Sequence, residues 1–179
     1  LERLGIEITW ENIGDPIAKG EQVPKWVRSI IADEVINNND SYGYSPTKGL
    51  DAARDYLAKT RSQETGNDIK PDNIIFFNGL GDAIHEVYTW LNPYARVLGP
   101  SPAYPTHSSI EGAHAKSHHL AYNLDPENNW MPDIKDIRDK VHFDQDVAGI
   151  LIINPDNPTG AVYPRKVLEQ IVSIAKEYN

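Results

Sequence analysis

The stretch Asn154-Pro155-Asp156-Asn157-Pro158-Thr159-Gly160 follows an unbroken apolar run, Val147 to Ile153. A run of this length, rich in β-branched residues, reads as a parallel strand buried on both faces. Two prolines and a glycine stop it and leave Asn157 as a carboxamide fixed at the strand's carboxyl end, where open α/β sheets bind their ligands. Taken alone, the same residues also make a rigid turn with Asn and Thr in ordinary turn and capping roles.

Asn78-Gly79-Leu80-Gly81-Asp82 stands between the apolar segment Ile74 to Phe77 and a helical pattern carrying Ala83, Ile84, Val87, Tyr88 and Leu91. Glycine permits a tight turn, and successive N–H groups at the positive end of a helix offer a seat for an anion such as phosphate. The third glycine of a dinucleotide fingerprint and the Gly-Lys-Ser/Thr of a Walker loop are both missing. A plain strand-to-helix turn with Asp82 as its cap would also account for these residues. Gly99-Pro100-Ser101-Pro102-Ala103-Tyr104-Pro105 follows the next strand. It sets the Tyr104 ring at the carboxyl edge of the sheet, either to stack on a planar ligand or to pack within a proline-rich turn.

Metal and hydrolase chemistry find little support. His118 and His119 fall on an expected strand and so point to opposite faces. His85 reads as a helix-face residue. No H-E-x-x-H motif occurs, and no serine sits in a nucleophile elbow.

These residues need a scaffold, and periodicity supplies one. Val23-Pro24 opens a helix with Trp26, Val27, Ile30, Ile31 and Val35 at spacings of three and four, ended by Asn37 to Asp40. Ser45-Pro46 starts a second, with Leu50, Ala53 and Leu57 as its buried stripe and Asp51, Arg54, Asp55 and Lys59 facing water. From Pro71 onward strands alternate with helices. Strand Ile74 to Phe77 leads to a helix ending at Leu91, then strand Ala95 to Leu98 to a short helix. Strand Ser117 to Tyr122 leads to a helix around Ile134 to Val141, and strand Val147 to Ile153 to a helix from Pro164. This order predicts an α/β fold, three layers α/β/α around a mainly parallel sheet. In such an alternation the last helix should feed another strand, so these residues read as part of a longer polypeptide.

Composition narrows the partners. The 179 residues carry 17 basic and 26 acidic side chains, a net charge of -9, with no basic cluster that would track a nucleic acid. No stretch approaches the roughly eighteen apolar residues of a membrane span, and charges stand among the first ten residues where a signal peptide would be apolar. A cytoplasmic protein is the expectation. The absence of cysteine removes disulfides, thiolate metal sites and a thiol nucleophile.

Together, the N-P-x-N-P-T-G string, the glycine turn and the P-x-P-x-Y-P stretch resemble the class I and II aminotransferases, pyridoxal 5'-phosphate (PLP) enzymes of fold type I. The resemblance runs from about Ile13 to the C-terminus and implies part of the large domain of the aspartate aminotransferase-like fold. Residues 1–40 would form an N-terminal arm and first helix, and residues 41–179 a partial cofactor domain. It implies that Gly79, Leu80 and Gly81 hold the cofactor phosphate, with Gly81 where a hydroxyl residue usually helps. Tyr104 would stack on the pyridine ring, and Asn157 would bond to the phenolic oxygen and border the substrate. Tyr44, in Tyr44-Ser45-Pro46-Thr47-Lys48-Gly49-Leu50, would reach the partner's cofactor phosphate across a homodimer. Gly14, in Asn12-Ile13-Gly14-Asp15-Pro16, would lie near the substrate carboxylate. Cis peptides are implied at Ser101-Pro102 and Asn157-Pro158.

The function implied is transfer of an amino group from an amino acid to a 2-oxo acid. The lysine that holds the cofactor covalently, the acid facing its ring nitrogen and the arginine gripping the substrate have no counterpart in these 179 residues. The expectation is therefore a fragment inactive by itself. Other fold-type I chemistry, such as carbon-sulfur lysis or decarboxylation, stays open, as does a non-catalytic effector-binding or assembly module. Substrate identity is not legible.

Overall fold

A helix starts at a proline where that residue directly precedes the first turn, as at Pro24 and Pro164, and not where it closes a turn of its own, as at Pro46. The computed structural model describes residues 14–178 together with Arg3, Gly5 and Glu7. They divide into two units, Leu1–Ile74 and Ile75–Asn179.

In the first unit, α1 (Lys25–Asn37) begins directly after Pro24 and ends where Asn38 turns extended. Its apolar stripe is present but buries no residue, and Trp26 is 68% exposed. α2 (Asp51–Thr65) starts five residues later than Ser45-Pro46 implied, because Pro46 instead closes a turn in which its carbonyl accepts from Gly49 N at 2.8 Å. Leu50, expected in the buried stripe, is an exposed N-cap; Ala58 is the buried residue. Gly66 ends the helix in the left-handed conformation. Arg54, expected to face water, is only 12% exposed and donates to Asp51 Oδ1 at 2.5 Å and to the Pro71 carbonyl at 3.2 Å. Its guanidinium fork thereby ties the helix start to the segment that follows the helix.

The second unit holds α3 (Leu80–Trp90), β1 (Arg96–Ser101), α4 (Pro105–Ala115), β2 (Ala121–Asp125), β3 (Met131–Pro132), α5 (Ile134–Phe143), β4 (Val147–Ile150) and α6 (Arg165–Glu177). The sheet order is β3-β2-β1-β4. β1 runs parallel to both neighbours, Gly99 opposite Ala121 and Leu98 opposite Ile150, and β3 is antiparallel to β2. The expected α/β fold with a mainly parallel sheet is what forms.

All four expected strands change. Ala95 to Leu98 becomes β1, which runs on through Gly99 and Pro100 to Ser101, residues expected to follow the strand. Ile74 to Phe77 is not a strand among the described residues, and Ile75, Phe76 and Phe77 are exposed. An apolar run carries the side-chain pattern of a strand, but only a neighbour's backbone makes it one. β2 begins at Ala121 rather than Ser117, so His118 and His119 precede it; the left-handed Lys116 (φ 52) carries the chain round after α4. β4 ends at Ile150, although Leu151 N still donates to the Leu98 carbonyl at 2.8 Å.

Leu98, Tyr122, Leu124, Ile137, Tyr163, Ile171 and Ile174 form the core of this unit. Ile171 and Ile174 lie one helical turn apart on the inward face of α6, and burying each contributes about 2 to 3 kcal/mol. The buried Tyr122 hydroxyl donates to the Leu151 carbonyl at 3.0 Å, which satisfies it and pins the chain as it leaves β4.

Candidate functional site

Because β1 and β4 are parallel neighbours, the chain leaves both at the same end of the sheet. The first exit leads to Tyr104 and the second to Asn157. α3 packs against α4, and a Cβ built on Gly81 would lie 3.6 Å from Thr106 Cγ2, in the first turn of α4. The glycine turn therefore sits beside the start of the helix that Tyr104 caps.

Gly79 occupies φ 92 as the N-cap of α3, a conformation that favours glycine. No side chain caps this helix, and Asp82 instead accepts from Asn78 N through Oδ2 at 3.3 Å. The first N–H groups of a helix have no intrahelical acceptor. Those at Leu80 and Gly81 thus remain to be satisfied, with the positive end of the helix dipole behind them.

The loop after β4 is held from within. The bonds Ser101-Pro102 and Asn157-Pro158 are cis, as the resemblance implies, and Asn154-Pro155 is a third. Asp156 is 4% exposed, and its Oδ2 accepts from Thr159 N at 3.1 Å and from Thr159 Oγ1 at 2.6 Å. Gly160 N donates to the Asp156 carbonyl and Asp156 N to the Ala161 carbonyl, both at 2.8 Å. Asn154 Oδ1 accepts from Tyr163 N at 2.9 Å. Burial first, and the Asp156 charge second, push the Tyr163 and Tyr122 phenols well above their ordinary range, so both stay protonated. Asn157 is exposed, and its carboxamide makes no hydrogen bond to a described residue. Sequence reasoning treated Asp156 as a spacer; its signal was an Asp three residues ahead of a Thr, the spacing of a side-chain-closed turn.

Gly79, Leu80, Gly81, Tyr104 and Asn157 all belong to the second unit, whereas Tyr44 and Gly14 belong to the first. Tyr44 and Gly14 are exposed, and Asn12 and Ile13 lie outside the described residues. His85 is exposed on α3, as expected of a helix-face residue. His114 and His118 are four apart but do not share a helix, since α4 ends at Ala115. Among the described residues no group of three or more His, Asp or Glu is placed to hold a metal, and no helix is long and apolar enough to cross a membrane.

The second unit thus offers an uncapped helix start for an anion, a half-buried aromatic ring, and an unengaged carboxamide. These residues fit a planar ring bearing a phosphate and a hydrogen-bonding oxygen.

Comparison with known proteins shows the family. The family described as aminotransferase class I and II matches residues 12–179. An uncharacterized aminotransferase of Methanocaldococcus jannaschii is 54% identical over all of this chain, which covers 41% of that protein. The glutamate-pyruvate aminotransferase AlaA of Escherichia coli is 34% identical, again over all of this chain and 43% of its own length. The alanine aminotransferase structure from Pyrococcus furiosus superposes with a TM-score of 0.84 at 31% identity, covering 99% of this chain and 44% of that one. The chain spans about two fifths of the curated relatives it matches.

Proposed function

Because the chain belongs to the class I and II aminotransferases, we propose that it is the cofactor-binding part of a PLP-dependent enzyme moving an amino group from an amino acid to a 2-oxo acid. Enzymes of this family use PLP in general. The observation that carries the reading is the exposed, unengaged Asn157 carboxamide at the carboxyl end of β4, in the unit that also holds the uncapped start of α3. Relatives named for alanine and for glutamate and pyruvate make these the first substrates to try.

Each residue has a part. The Leu80 and Gly81 N–H groups, on the turn set by Gly79, donate to the cofactor phosphate. The Tyr104 ring covers one face of the pyridine and keeps water from it. The Asn157 carboxamide donates to the phenolic oxygen, favouring its anionic form, and borders the substrate. Tyr44 reaches the phosphate held by the other subunit of a homodimer, and the Gly14 backbone lies along the substrate carboxylate. Residues 1–40 act as an arm and first helix ahead of the partial cofactor domain, 41–179. The chemistry supplied by the bound cofactor is an electron sink for the amino acid as it loses its α-proton. The protein works in the cytoplasm.

The test is a PLP titration of the complete gene product, followed by an assay of alanine with 2-oxoglutarate and of other amino donors. Saturable PLP binding with pyruvate formation supports the reading, and no PLP binding overturns it. The 179 residues alone are expected to show no turnover, since they contain no counterpart of the lysine, the acid or the arginine that the reaction needs.

A further inference from the structure

The loop Asn154 to Gly160 carries two prolines, which bring no N–H group to fix its shape. What remains is organised around Asp156. This carboxylate is buried and, among the described residues, has no cationic partner within ion-pair distance. A buried charge in that position is costly unless hydrogen-bonded. Both donors to its Oδ2 come from Thr159, one from the backbone and one from the hydroxyl. The carboxylate therefore closes the turn across Asn157 and Pro158, and the bond from Gly160 N to the Asp156 carbonyl closes it a second time. Asn157 stands at the tip of this clasp with its own side chain uncommitted.

The clasp is backed from inside. Tyr163 is 2% exposed, its N–H is tied to Asn154 at the base of the loop, and its hydroxyl is buried without a partner among the described residues. The second oxygen of Asp156 is buried and unpartnered in the same way. The loop is thus seated on the core by the bond from Tyr163 N to Asn154 and by the burial of the Asp156 and Tyr163 side chains rather than by strand pairing.

We propose that Asp156 is the positioning residue of this site, its carboxylate holding the turn through Thr159 so that the Asn157 carboxamide is presented to the cofactor's phenolic oxygen. The proposal rests on the reading of Asn157 as a cofactor contact. It makes Asp156 act through Asn157, and that is a statement about coupling.

The test is a double-mutant cycle on PLP affinity in the complete gene product, read by cofactor absorbance and by quenching of protein fluorescence. Losing a hydrogen bond to a charged group corresponds to about a tenfold change or more. Asn157→Ala and Asp156→Ala are each expected to weaken PLP binding about tenfold, and the double variant to bind no more weakly than Asn157→Ala. Asp156→Asn keeps an acceptor for Thr159 and is expected to stay within about threefold of the native protein. The thermal midpoint without PLP should fall in Asp156→Ala and hold in Asn157→Ala. If Asp156→Ala does not fold, Thr159→Val, which removes one donor of the clasp, takes its place in the same cycle.

Losses that add in full overturn the proposal while leaving the function intact. An Asp156→Asn variant as weak as Asp156→Ala also overturns it, because charge rather than the clasp would then be what matters. Failure of the native protein to bind PLP overturns the functional reading and this proposal with it.

Discussion

Arg96 Nε lies 2.6 Å from Oε1 of Glu111, and the Glu111 side chain has no solvent exposure. The other carboxylate oxygen accepts from Leu120 N at 3.0 Å, and Arg96 Nη2 donates to the His118 carbonyl at 2.8 Å. One ion pair thus joins the start of β1, the middle of α4 and the approach to β2. Removing one partner of a buried pair costs more than the pair is worth, because the survivor stays buried and uncompensated. Glu111→Ala is expected to destabilise the fold by about 3 to 5 kcal/mol in urea unfolding, and adding Arg96→Met should recover part of that loss.

Gly99 in β1 is required by the ring of His107. A Cβ at position 99 would lie 2.6 Å from His107 Nε2 and 2.8 Å from Cδ2, and His107, at 3% exposure, has little room to yield. Gly99→Ala should cost about 1 to 3 kcal/mol, in the range for overpacking. The double variant with His107→Ala should lose less than the sum of the two single losses, and a strictly additive result would show that the ring moves aside.

Burial lowers the pKa of His107 below its ordinary 6.5, against the opposing pull of the Glu111 charge and with a smaller push from His119. The unfolded chain therefore takes up this proton first as pH falls. The stabilisation is complete above the unfolded value and is lost as pH drops through the folded one, with a slope of at most about 1.4 kcal/mol per pH unit. Urea midpoints measured from about pH 7.5 to about 5 should show this slope in the native protein, and His107→Gln should flatten it.

Two glycines of one turn should respond in opposite ways. Gly79 holds φ 92, so Gly79→Ala is strained by about 1 kcal/mol or more even though the space around it is open. At Gly81 an added Cβ meets only Thr106 Cγ2, at an ordinary contact distance of 3.6 Å. Gly81→Ser should therefore fold normally and, by adding a hydroxyl donor to an uncapped helix start, tighten PLP binding by about tenfold. Unchanged affinity would place the phosphate away from this turn.

What could be read from the sequence was whatever is decided locally. Pro24 followed by apolar residues at spacings of three and four gave α1, and Pro164 marked the start of α6, because a helix makes its own hydrogen bonds. The glycine turn at Gly79 stood out through its backbone demands, and Asn157 through the prolines and glycine that interrupt the chain after an apolar run. Ile74 to Phe77 was misread because strand pairing depends on a neighbour, and β3 was missed because it has two residues and one is Pro132. Glu111 and Asp156 were missed for a related reason. An acidic residue in a helix or a turn reads as solvated until its partners are known, and the partner of Glu111 lies fifteen residues earlier.

The two outer strands of the sheet have different consequences for self-association. β3 is short and carries a proline, so its outer edge offers little to a further strand. β4 is apolar, and among the described residues its far side is unpaired. A further strand, whether from the same polypeptide or from another copy, therefore has its place beside β4 rather than beside β3.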